Sequence, residues 1–385
     1  MSIIQSQIKK YPLLPFSQLV YDSTRWMPKV YMFGMTMRIP GGAESLNQWQ
    51  NALVSAFSNH PVFSTYIDCQ GRQYEKQQAD ILKGKYHQVI IRVDGKDLEI
   101  QGHISRILGD GVSLKILFED ICQAYNKESL QKDDYWEYLE YVEQQKLSQH
   151  YADSRDWLIR EFADETIPVR PTIDRHLWTL CSPKAGLYKV DYTDLQALIN
   201  QLTETEFLSM DGFFSLCTAL AIAEYCGTDS AAITWAYEGR ERLEEQRIFG
   251  SLHRDVPFKI NIQNPISNFK SELIRQARNQ IRSGIAHSDY PYTLTAPYNK
   301  RWNYAVNVLR VEDEYELLKL LPQPVELMSS PPQKYAYALL DVEIHESVER
   351  LEIVYRYSAS HYKEESIKRF ASLVRKYAEW LLEKE

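Results

Sequence analysis

Hydrophobic and polar positions alternate along several short stretches of the chain, and between these stretches the hydrophobic positions recur every three or four residues. Residues 31–42 (YMFGMTMRIPGG) alternate and then reach a Pro-Gly-Gly turn, which predicts a strand and its end. Residues 43–61 instead carry apolar side chains at helical spacing from Leu46 to Phe57, which predicts a helix that Pro61 ends. This change of period predicts mixed α and β structure.

A strand, a tight turn and a helix are predicted around the sequence Gly-Asp-Gly. Residues 97–107 (DLEIQGHISRI) alternate, and this pattern places Leu98 and Arg106 on one face of a strand and Ser105 on the other. After Gly111 the apolar residues return to helical spacing. We therefore expect the Gly-Asp-Gly turn to connect the end of a strand to the start of a helix.

The second half of the chain repeats this mixture of elements. Strands are predicted at residues 186–192, 230–240, 251–262, 303–311, 334–346 and 349–359, and helices at residues 193–204, 211–226, 267–285 and 363–384. Thr193 is the predicted N-cap of the first of these helices. Residues 133–162 predict a pair of amphipathic surface helices, and residues 165–175, with two prolines, are the predicted linker. We expect two lobes, 1–165 and 166–385, each combining a sheet with helices.

The composition argues against some classes of function. The formal net charge is −8, with 44 basic and 52 acidic residues, which argues against general binding of nucleic acid. Residues 213–226 form the longest apolar stretch, but it contains Ser, Thr and Glu and is too short to span a bilayer, so no membrane association is expected. The five cysteines are far apart and form no C-x-x-C pair, which favours a reducing compartment. Because the N-terminal residues lack a long apolar core, a cytoplasmic location is expected.

The motifs of nucleotide, metal and serine-hydrolase sites are absent from the sequence. There is no G-x-x-x-x-G-K-[ST], no H-E-x-x-H and no G-x-S-x-G, so we expect no bound metal or nucleotide cofactor. Residues 227–230 (GTDS) look like the phosphopantetheine attachment site of a carrier protein. They fall in a predicted loop before a strand, without a small helical domain around them, and we do not expect them to be such a site.

Residues 105–111 (SRILGDG) resemble the HHxxxDG motif of nonribosomal peptide synthetase condensation domains. Ser105 stands at the first His, Arg106 stands at the second His, and Asp110 and Gly111 match the motif. Further segments resemble the family in the same order along nearly the whole chain: residues 11–18, 58–67, 118–126, 136–158, 210–240, 249–262 and 286–294. The combination of ordered weak matches, rather than the short motif alone, carries the resemblance.

The resemblance implies a fold, an activity and partners. The fold is α/β (α+β), with two chloramphenicol-acetyltransferase-like lobes that form a V-shaped pseudodimer around a central tunnel. Members of the family join a donor acyl thioester to an acceptor amine or alcohol. Their substrates usually ride on the phosphopantetheine arms of acyl or peptidyl carrier proteins, which are therefore the expected partners. No other cofactor is implied.

Arg106 departs from the family at the position that assists the acceptor nucleophile. A general base needs a lone pair, and a guanidinium has none and stays protonated, with a pKa above ~12. Loss of general-base catalysis typically costs ~10²–10⁴-fold in rate. The family's Asp is mainly structural and pairs with an arginine, so we expect Asp110 to hold the turn through Arg240 or through Arg106 itself.

Two further residues are candidates for substrate binding. Arg254 stands where the family has Asn, and together with Arg106 it could bind a carboxylate or phosphate, because arginine offers a planar fork to two oxygens. The alternative is that each arginine pairs with an acidic residue. His253 is the best candidate for a displaced base, whereas His103 is predicted on the opposite strand face from Arg106, and His287 matches a structural position of the family.

These departures leave two functional hypotheses. The first is a stand-alone condensation-domain-like protein of a nonribosomal-peptide or polyketide-type pathway, with non-standard or lost acyl transfer, that binds carrier proteins or a tailoring enzyme. The X domains of glycopeptide synthetases resemble it, since they also carry Arg at this position and recruit tailoring oxygenases, although this chain keeps Gly111. The second is an active acyltransferase that forms an amide or ester through positioning, with Arg106 stabilising the oxyanion. An unrelated two-domain scaffold is the remaining alternative.

Overall fold

Helices and strands alternate along the computed structural model, which describes residues 9–24, 31–76, 78–175, 184–262, 269–295, 305–311, 314–329, 336 and 338–383. The strands are β1 (Tyr11–Pro12), β2 (Met32–Ile39), β3 (Thr65–Ile67), β4 (Arg72–Glu75), β5 (His87–Asp94), β6 (Asp97–Ser105), β7 (Ala185–Asp191), β8 (Ser230–Tyr237), β9 (Arg254–Asn261), β10 (Asn307–Val311), β11 (Glu326–Ser329), β12 (Leu340–Glu346) and β13 (Leu351–Ser358). The helices are α1 (Pro15–Thr24), α2 (Leu46–Asn59), α3 (Gly111–Tyr125), α4 (Tyr135–Gln145), α5 (Gln149–Phe162), α6 (Gln196–Glu206), α7 (Met210–Cys226), α8 (Phe269–Ala286), α9 (Glu314–Leu318) and α10 (Glu364–Leu382). This mixture confirms the predicted α/β class.

The first of two compact units comprises Met1–Gln145, Glu238–His253 and Glu312–Pro332. Its larger sheet has the strand order β11-β2-β6-β5 and is antiparallel throughout. A smaller antiparallel sheet has the order β1-β4-β3. Helices α2 and α3 pack against each other. Leu98 and Ile100 of β6 are buried, as the alternation of that segment predicts.

The second unit comprises Lys146–Tyr237, Arg254–Val311 and Gln333–Glu385. Its six-stranded sheet has the order β7-β13-β12-β10-β8-β9, in which β12, β10 and β8 run parallel and the other neighbours are antiparallel. Helix α7 packs with α8 and α10 and is buried from Phe213 to Ala223. The longest apolar stretch of the sequence is therefore a core helix, as predicted.

These units differ from a single division at the linker in three segments. Residues 146–165 belong to the second unit, whereas residues 238–253 and 312–332 belong to the first. Two contacts explain the exchange: β11 pairs with β2, and the segment 238–253 carries Arg240, which binds Asp110. Hydrophobic periodicity does not reveal such contacts, because Asp110 and Arg240 are 130 residues apart in the sequence.

The start of α6 differs from the sequence prediction. Thr193 is not its N-cap, because the helix begins at Gln196 and Leu195 occupies the capping position without a side-chain hydrogen bond. The Thr193 hydroxyl instead accepts a hydrogen bond from the Leu351 backbone N–H at 3.2 Å. The threonine therefore ties the loop before α6 to β13.

The cysteines and the apolar helices were also assigned from the sequence. Cys69, Cys122, Cys217 and Cys226 carry free thiols, and Cys181 lies outside the described residues. Within the described ranges, no single helix is long and apolar enough to cross a membrane. The pair α6 and α7, which bends by 103° at its break, passes the same test of length and composition when taken together.

Candidate functional site

The turn at residues 105–111 is built by short-range hydrogen bonds. Strand β6 ends at the buried Ser105, whose hydroxyl accepts a hydrogen bond from the Ile107 backbone N–H at 3.3 Å. Asp110 is the N-cap of α3 and accepts a hydrogen bond from the Ser113 backbone N–H at 3.0 Å. The Ser113 hydroxyl in turn accepts one from the Asp110 backbone N–H at 3.1 Å. This reciprocal capping box fixes the start of the helix at Gly111.

Asp110 forms a buried, two-point ion pair with Arg240. Asp110 Oδ1 lies 2.9 Å from Arg240 Nη2, and Oδ2 lies 2.9 Å from Nη1. Both side chains are only 4% exposed. Burial alone would raise the pKa of Asp110, but the Arg240 guanidinium and the hydrogen bond from Ser113 outweigh it and lower the pKa to about 2. Of the two partners expected for Asp110, the structure confirms Arg240.

The Asp110 carboxylate also binds the main chain of the segment that carries Arg240. Oδ2 accepts hydrogen bonds from the backbone N–H groups of Leu252 at 2.9 Å and His253 at 3.1 Å. Arg240 Nη2 donates to the Gly250 carbonyl at 3.0 Å. Because one carboxylate accepts from the guanidinium and from two backbone amides, it holds residues 250–253 against the start of α3.

The first glycine of the Gly-Asp-Gly turn is explained by a close approach. A β-carbon at Gly109 would lie 2.6 Å from the Phe249 ring and 2.9 Å from the β-carbon of Ser113. No side chain fits at these distances without displacing a neighbour. The turn therefore needs glycine at this position so that the Arg240 segment can pack on it.

Arg106 lies in the turn rather than on the strand face that its alternation with Leu98 predicts. The difference arises because β6 ends one residue earlier, and the Arg106 backbone N–H then donates to the Tyr31 carbonyl at 2.9 Å. The guanidinium carbon lies 5.6 Å from the centroid of the Phe16 ring and 5.1 Å from that of Phe33. These contacts are cation–π distances, so two aromatic rings stabilise the cation.

His253 belongs to the same group of residues. Its ring centroid lies 4.1 Å from that of Phe16, which therefore contacts both His253 and Arg106. Burial and the charges of Arg106 and Arg240 lower the pKa of His253 to about 4, against the opposing effect of Asp110. The imidazole is therefore neutral near pH 7. The part of Phe16 in this site was missed by the sequence prediction, in which residues 11–18 carried only the family resemblance.

Arg254, the other predicted anion-binding residue, belongs to the second unit, whereas Arg106 belongs to the first. Its Nη1 donates to Asp289 Oδ1 at 2.6 Å and to Ser288 Oγ at 2.8 Å. For Arg254, the alternative of pairing with an acidic residue is thus confirmed. His287 stacks on Trp157 with ring centroids 4.6 Å apart, in line with its expected structural position. Among the described residues, no cluster of His, Cys, Asp and Glu is arranged to hold a metal ion.

Comparison with known proteins shows what this architecture is similar to. One of the plipastatin synthase subunits of Bacillus subtilis (strain 168) is 22% identical over 308 residues, which are 74% of this chain, and the chain spans 11% of that relative's length. The X-domain from teicoplanin biosynthesis has a TM-score of 0.77 at 15% identity, with 98% of this chain and 95% of that chain covered. The condensation domain from the Monacolin K polyketide synthase MokA has a TM-score of 0.79 at 12% identity, with 97% and 98% covered.

The structural likenesses and the family model agree. At such low identities the likenesses establish the fold, which is the chloramphenicol-acetyltransferase-like fold that the motif implies. The family model for the Condensation domain matches residues 103–384, a range that contains the turn, α3 and the segment that carries Arg240. The chain therefore belongs to the Condensation domain family of nonribosomal peptide biosynthesis.

Proposed function

We propose that this protein binds a carrier-borne intermediate or a tailoring enzyme and lacks the general base of the family's motif. The observation that supports this most directly is Arg106, a cation at the second His position of a turn whose other features are retained. Asp110, Arg240 and Ser113 still form the buried frame. A residue that only donates hydrogen bonds cannot take a proton from an acceptor amine or alcohol.

The retained frame favours binding over simple decay of the turn. A buried ion pair is costly to keep unless its geometry is good, and the Asp110–Arg240 pair uses both carboxylate oxygens. It positions the main chain at Leu252 and His253 and the start of α3. A protein that no longer used this turn would gain nothing from a permanent positive charge held between Phe16 and Phe33.

Two classes of partner suit such a protein. The chains that the family handles ride on phosphopantetheine arms, whose phosphate and amide oxygens are acceptors for a guanidinium. Tailoring enzymes are the second class, because the X-domain from teicoplanin biosynthesis has been solved in a complex with OxyB, and this chain matches that structure with a TM-score of 0.76 over 98% of its length. Carrier proteins and tailoring enzymes are accordingly the first partners to test.

The alternative is an active acyltransferase. The acceptor N–H or O–H would attack the carrier thioester, a C–N or C–O bond would form, the C–S bond would break, and the thiol would leave with the acceptor's proton. Arg106 would stabilise the negative charge on the carbonyl oxygen in the transition state. The position of the guanidinium beside the retained Asp110 frame favours this alternative over a turn with no charged group.

The test is a comparison of binding and turnover for three variants of the whole chain. A panel of holo and acyl-loaded carrier proteins and OxyB-type oxygenases is titrated, and amide or ester formation is measured with the same loaded carriers and a panel of amines and alcohols. We expect micromolar binding without turnover for the unchanged protein and weaker binding for Arg106→Ala. Turnover that first appears in Arg106→His, with a gain of ~10²–10⁴-fold over background, supports a lost base.

A matched control is available on α10. The guanidinium carbon of Arg369 lies 5.0 Å from the centroid of the Tyr225 ring, so Arg369→Ala removes an exposed cation–π arginine from the second unit. This variant is expected to bind and react as the unchanged protein does. Turnover by the unchanged protein that Arg106→Ala abolishes would contradict the binding proposal and establish the acyltransferase. No binding to any member of the panel would also contradict it.

A further inference from the structure

His253 has a ring nitrogen without a partner in the part of the chain that the structure describes. Its Nδ1 is buried, and no hydrogen bond joins it to any described residue. Buried polar atoms of native proteins nearly always have a partner, so an exception needs an explanation. The residue as a whole is partly exposed, which leaves the ring open to a bound molecule.

The unpartnered nitrogen does not result from a loosely held side chain. The His253 backbone N–H donates to Asp110 Oδ2 at 3.1 Å, and its ring packs on Phe16 with centroids 4.1 Å apart. Asp110 is also committed to Arg240, Ser113 and the Leu252 backbone N–H. The carboxylate therefore anchors the main chain of His253 rather than its imidazole, unlike the acid of a His–Asp dyad.

The charged groups that face the imidazole decide its protonation. Arg106 and Arg240 disfavour a second positive charge, Asp110 favours it, and burial disfavours it. The ring is thus neutral at pH 7 and offers one lone pair and one N–H group. Its pKa of about 4 makes it a poor proton acceptor, because an efficient general base has a pKa near the working pH. A neutral ring of this kind accepts a hydrogen bond without taking the proton.

The neighbouring cations also select the group that would donate this bond. An ammonium group would be repelled by Arg106 and Arg240, so a neutral hydroxyl or amide N–H is the better donor. A carbonyl oxygen close to that donor would be attracted by the Arg106 charge, whose guanidinium rests on the same Phe16 ring. A 2-hydroxyacyl or N-acylaminoacyl thioester has both groups next to each other.

We infer that His253 is a ligand-binding residue that accepts a hydrogen bond from the neutral hydroxyl or amide N–H adjacent to the carbonyl of a carrier-bound acyl chain. The inference rests on the proposed function, since it assumes that a carrier-borne chain reaches this turn. It assigns an acceptor for the ligand to residue 253, where the sequence motif retains no histidine at positions 105 and 106.

The experiment compares a glycolyl-loaded with an acetyl-loaded carrier protein, which differ by one hydroxyl. Dissociation constants are measured for the unchanged protein, for His253→Phe, which keeps an aromatic ring on Phe16, and for His253→Gln, which keeps an acceptor. We expect the unchanged protein to prefer the glycolyl carrier by about tenfold, in line with one hydrogen bond. His253→Phe should lose this preference, and His253→Gln should retain part of it.

A spectroscopic measurement keeps the inference testable if a variant does not fold. In the unchanged protein, the imidazole ¹⁵N resonances of His253 should shift when the glycolyl carrier is added and remain in place with the acetyl carrier. Equal binding of both carriers by the unchanged protein, a preference that His253→Phe keeps, or unshifted imidazole resonances on glycolyl binding would each overturn the inference alone. If the unchanged protein binds neither these carriers nor the partners named above, the proposed function fails with it.

Discussion

At the scale of single residues, the turn contains one acid that stays ionised and one imidazole that stays neutral. Both states have the same origin, since Arg240 lies close to Asp110 and the positive charges of Arg106 and Arg240 act on His253. The acid is used up by structure, because its two oxygens are fully engaged. Chemistry at this turn is therefore left to Arg106 and His253.

Replacement of Asp110 by Asn should strongly destabilise the protein. It leaves the buried Arg240 charge without its partner, and breaking a buried pair typically costs about 3–5 kcal/mol of unfolding free energy. Urea denaturation of the whole chain measures this loss. Asp194→Asn is the matched control, because Asp194 also pairs with Arg375 but is 61% exposed, and exposed pairs contribute about 0–1 kcal/mol. Equal losses for the two variants would contradict the assigned role of burial.

The ionisation of Asp110 also predicts a pH dependence. Its pKa is about 2 in the folded protein and ~3.9 in an unfolded chain, so the folded state binds fewer protons between these values. The contribution of Asp110 to stability is therefore present above pH ~4 and is lost as the pH falls toward 2. Denaturation curves from pH 5 to pH 2 should converge for the unchanged protein and Asp110→Asn. Parallel curves would show that Asp110 does not titrate in this way.

At the scale of elements, a buried histidine joins the end of α2 to three other segments. His60 Nδ1 lies 2.8 Å from Asp133 Oδ2, and Nε2 lies 3.3 Å from Asp120 Oδ2 of α3. The same Asp133 oxygen accepts a hydrogen bond from the Phe249 backbone N–H at 2.9 Å, and Asp120 pairs with Arg247. His60 thus ties α2 to the segment that carries Arg240 and His253, through contacts separate from those of Asp110.

Substitution of His60 should remove a pH-dependent part of the stability. Burial acts to lower the pKa of His60, but the carboxylates of Asp120 and Asp133 outweigh it and raise the pKa above its usual value. Stability from this histidine is then fully present below pH ~6.5 and is lost as the pH rises through the folded pKa. The unfolding free energies of the unchanged protein and His60→Gln should approach each other between pH 6 and pH 9. A constant difference over this range would contradict the prediction.

The cap of α3 offers a further test at this scale. Ser113→Ala removes the capping box and the hydroxyl that lies 2.8 Å from the Gly250 carbonyl, so we expect a loss toward the upper end of the ~0.5–2 kcal/mol typical of N-cap substitutions. Ser148→Ala at α5, where the hydroxyl accepts only the Tyr151 backbone N–H, should cost about 1 kcal/mol. Thermal and urea denaturation measure both. A smaller loss for Ser113→Ala than for Ser148→Ala would argue against the link to residue 250.

At the scale of the whole molecule, the chain changes from one compact unit to the other five times, after residues 145, 237, 253, 311 and 332. The first unit therefore needs residues from the second half of the chain. Residues 1–165 alone lack Arg240, the partner of the buried Asp110, and β11, the neighbour of β2. Contacts so distant in sequence form slowly and late in folding.

A fragment of residues 1–165 should accordingly fail to fold cooperatively. Circular dichroism and thermal melting of the fragment test this, with the whole chain as the reference. Co-expression of residues 166–385 supplies the missing segments and is expected to rescue the soluble fragment in part. A sharp thermal transition of the isolated fragment at the temperature of the whole chain would show that the segments 238–253 and 312–332 contribute little.

The sequence predicted the long elements and the motif better than the contacts of the motif. Leu98 and Ile100 were correctly predicted to be buried, because one-sided burial imposes a period of two on a strand. The four-residue strands β4 and β11 were missed, since so short a segment holds too few positions for a period. The Asp110–Arg240 pair was suggested by the family resemblance, whereas nothing in the sequence indicated that Phe16 contacts both Arg106 and His253.

The hydrogen bonds from Asp110 to residues 252 and 253 reach only peptide nitrogens. Any amino acid except proline supplies such a nitrogen, so the identity of the side chain at 253 can change over generations while its anchorage stays the same. Natural variation or directed evolution can therefore exchange this one group, and with it the preference for an incoming molecule, without rebuilding the loop that presents it.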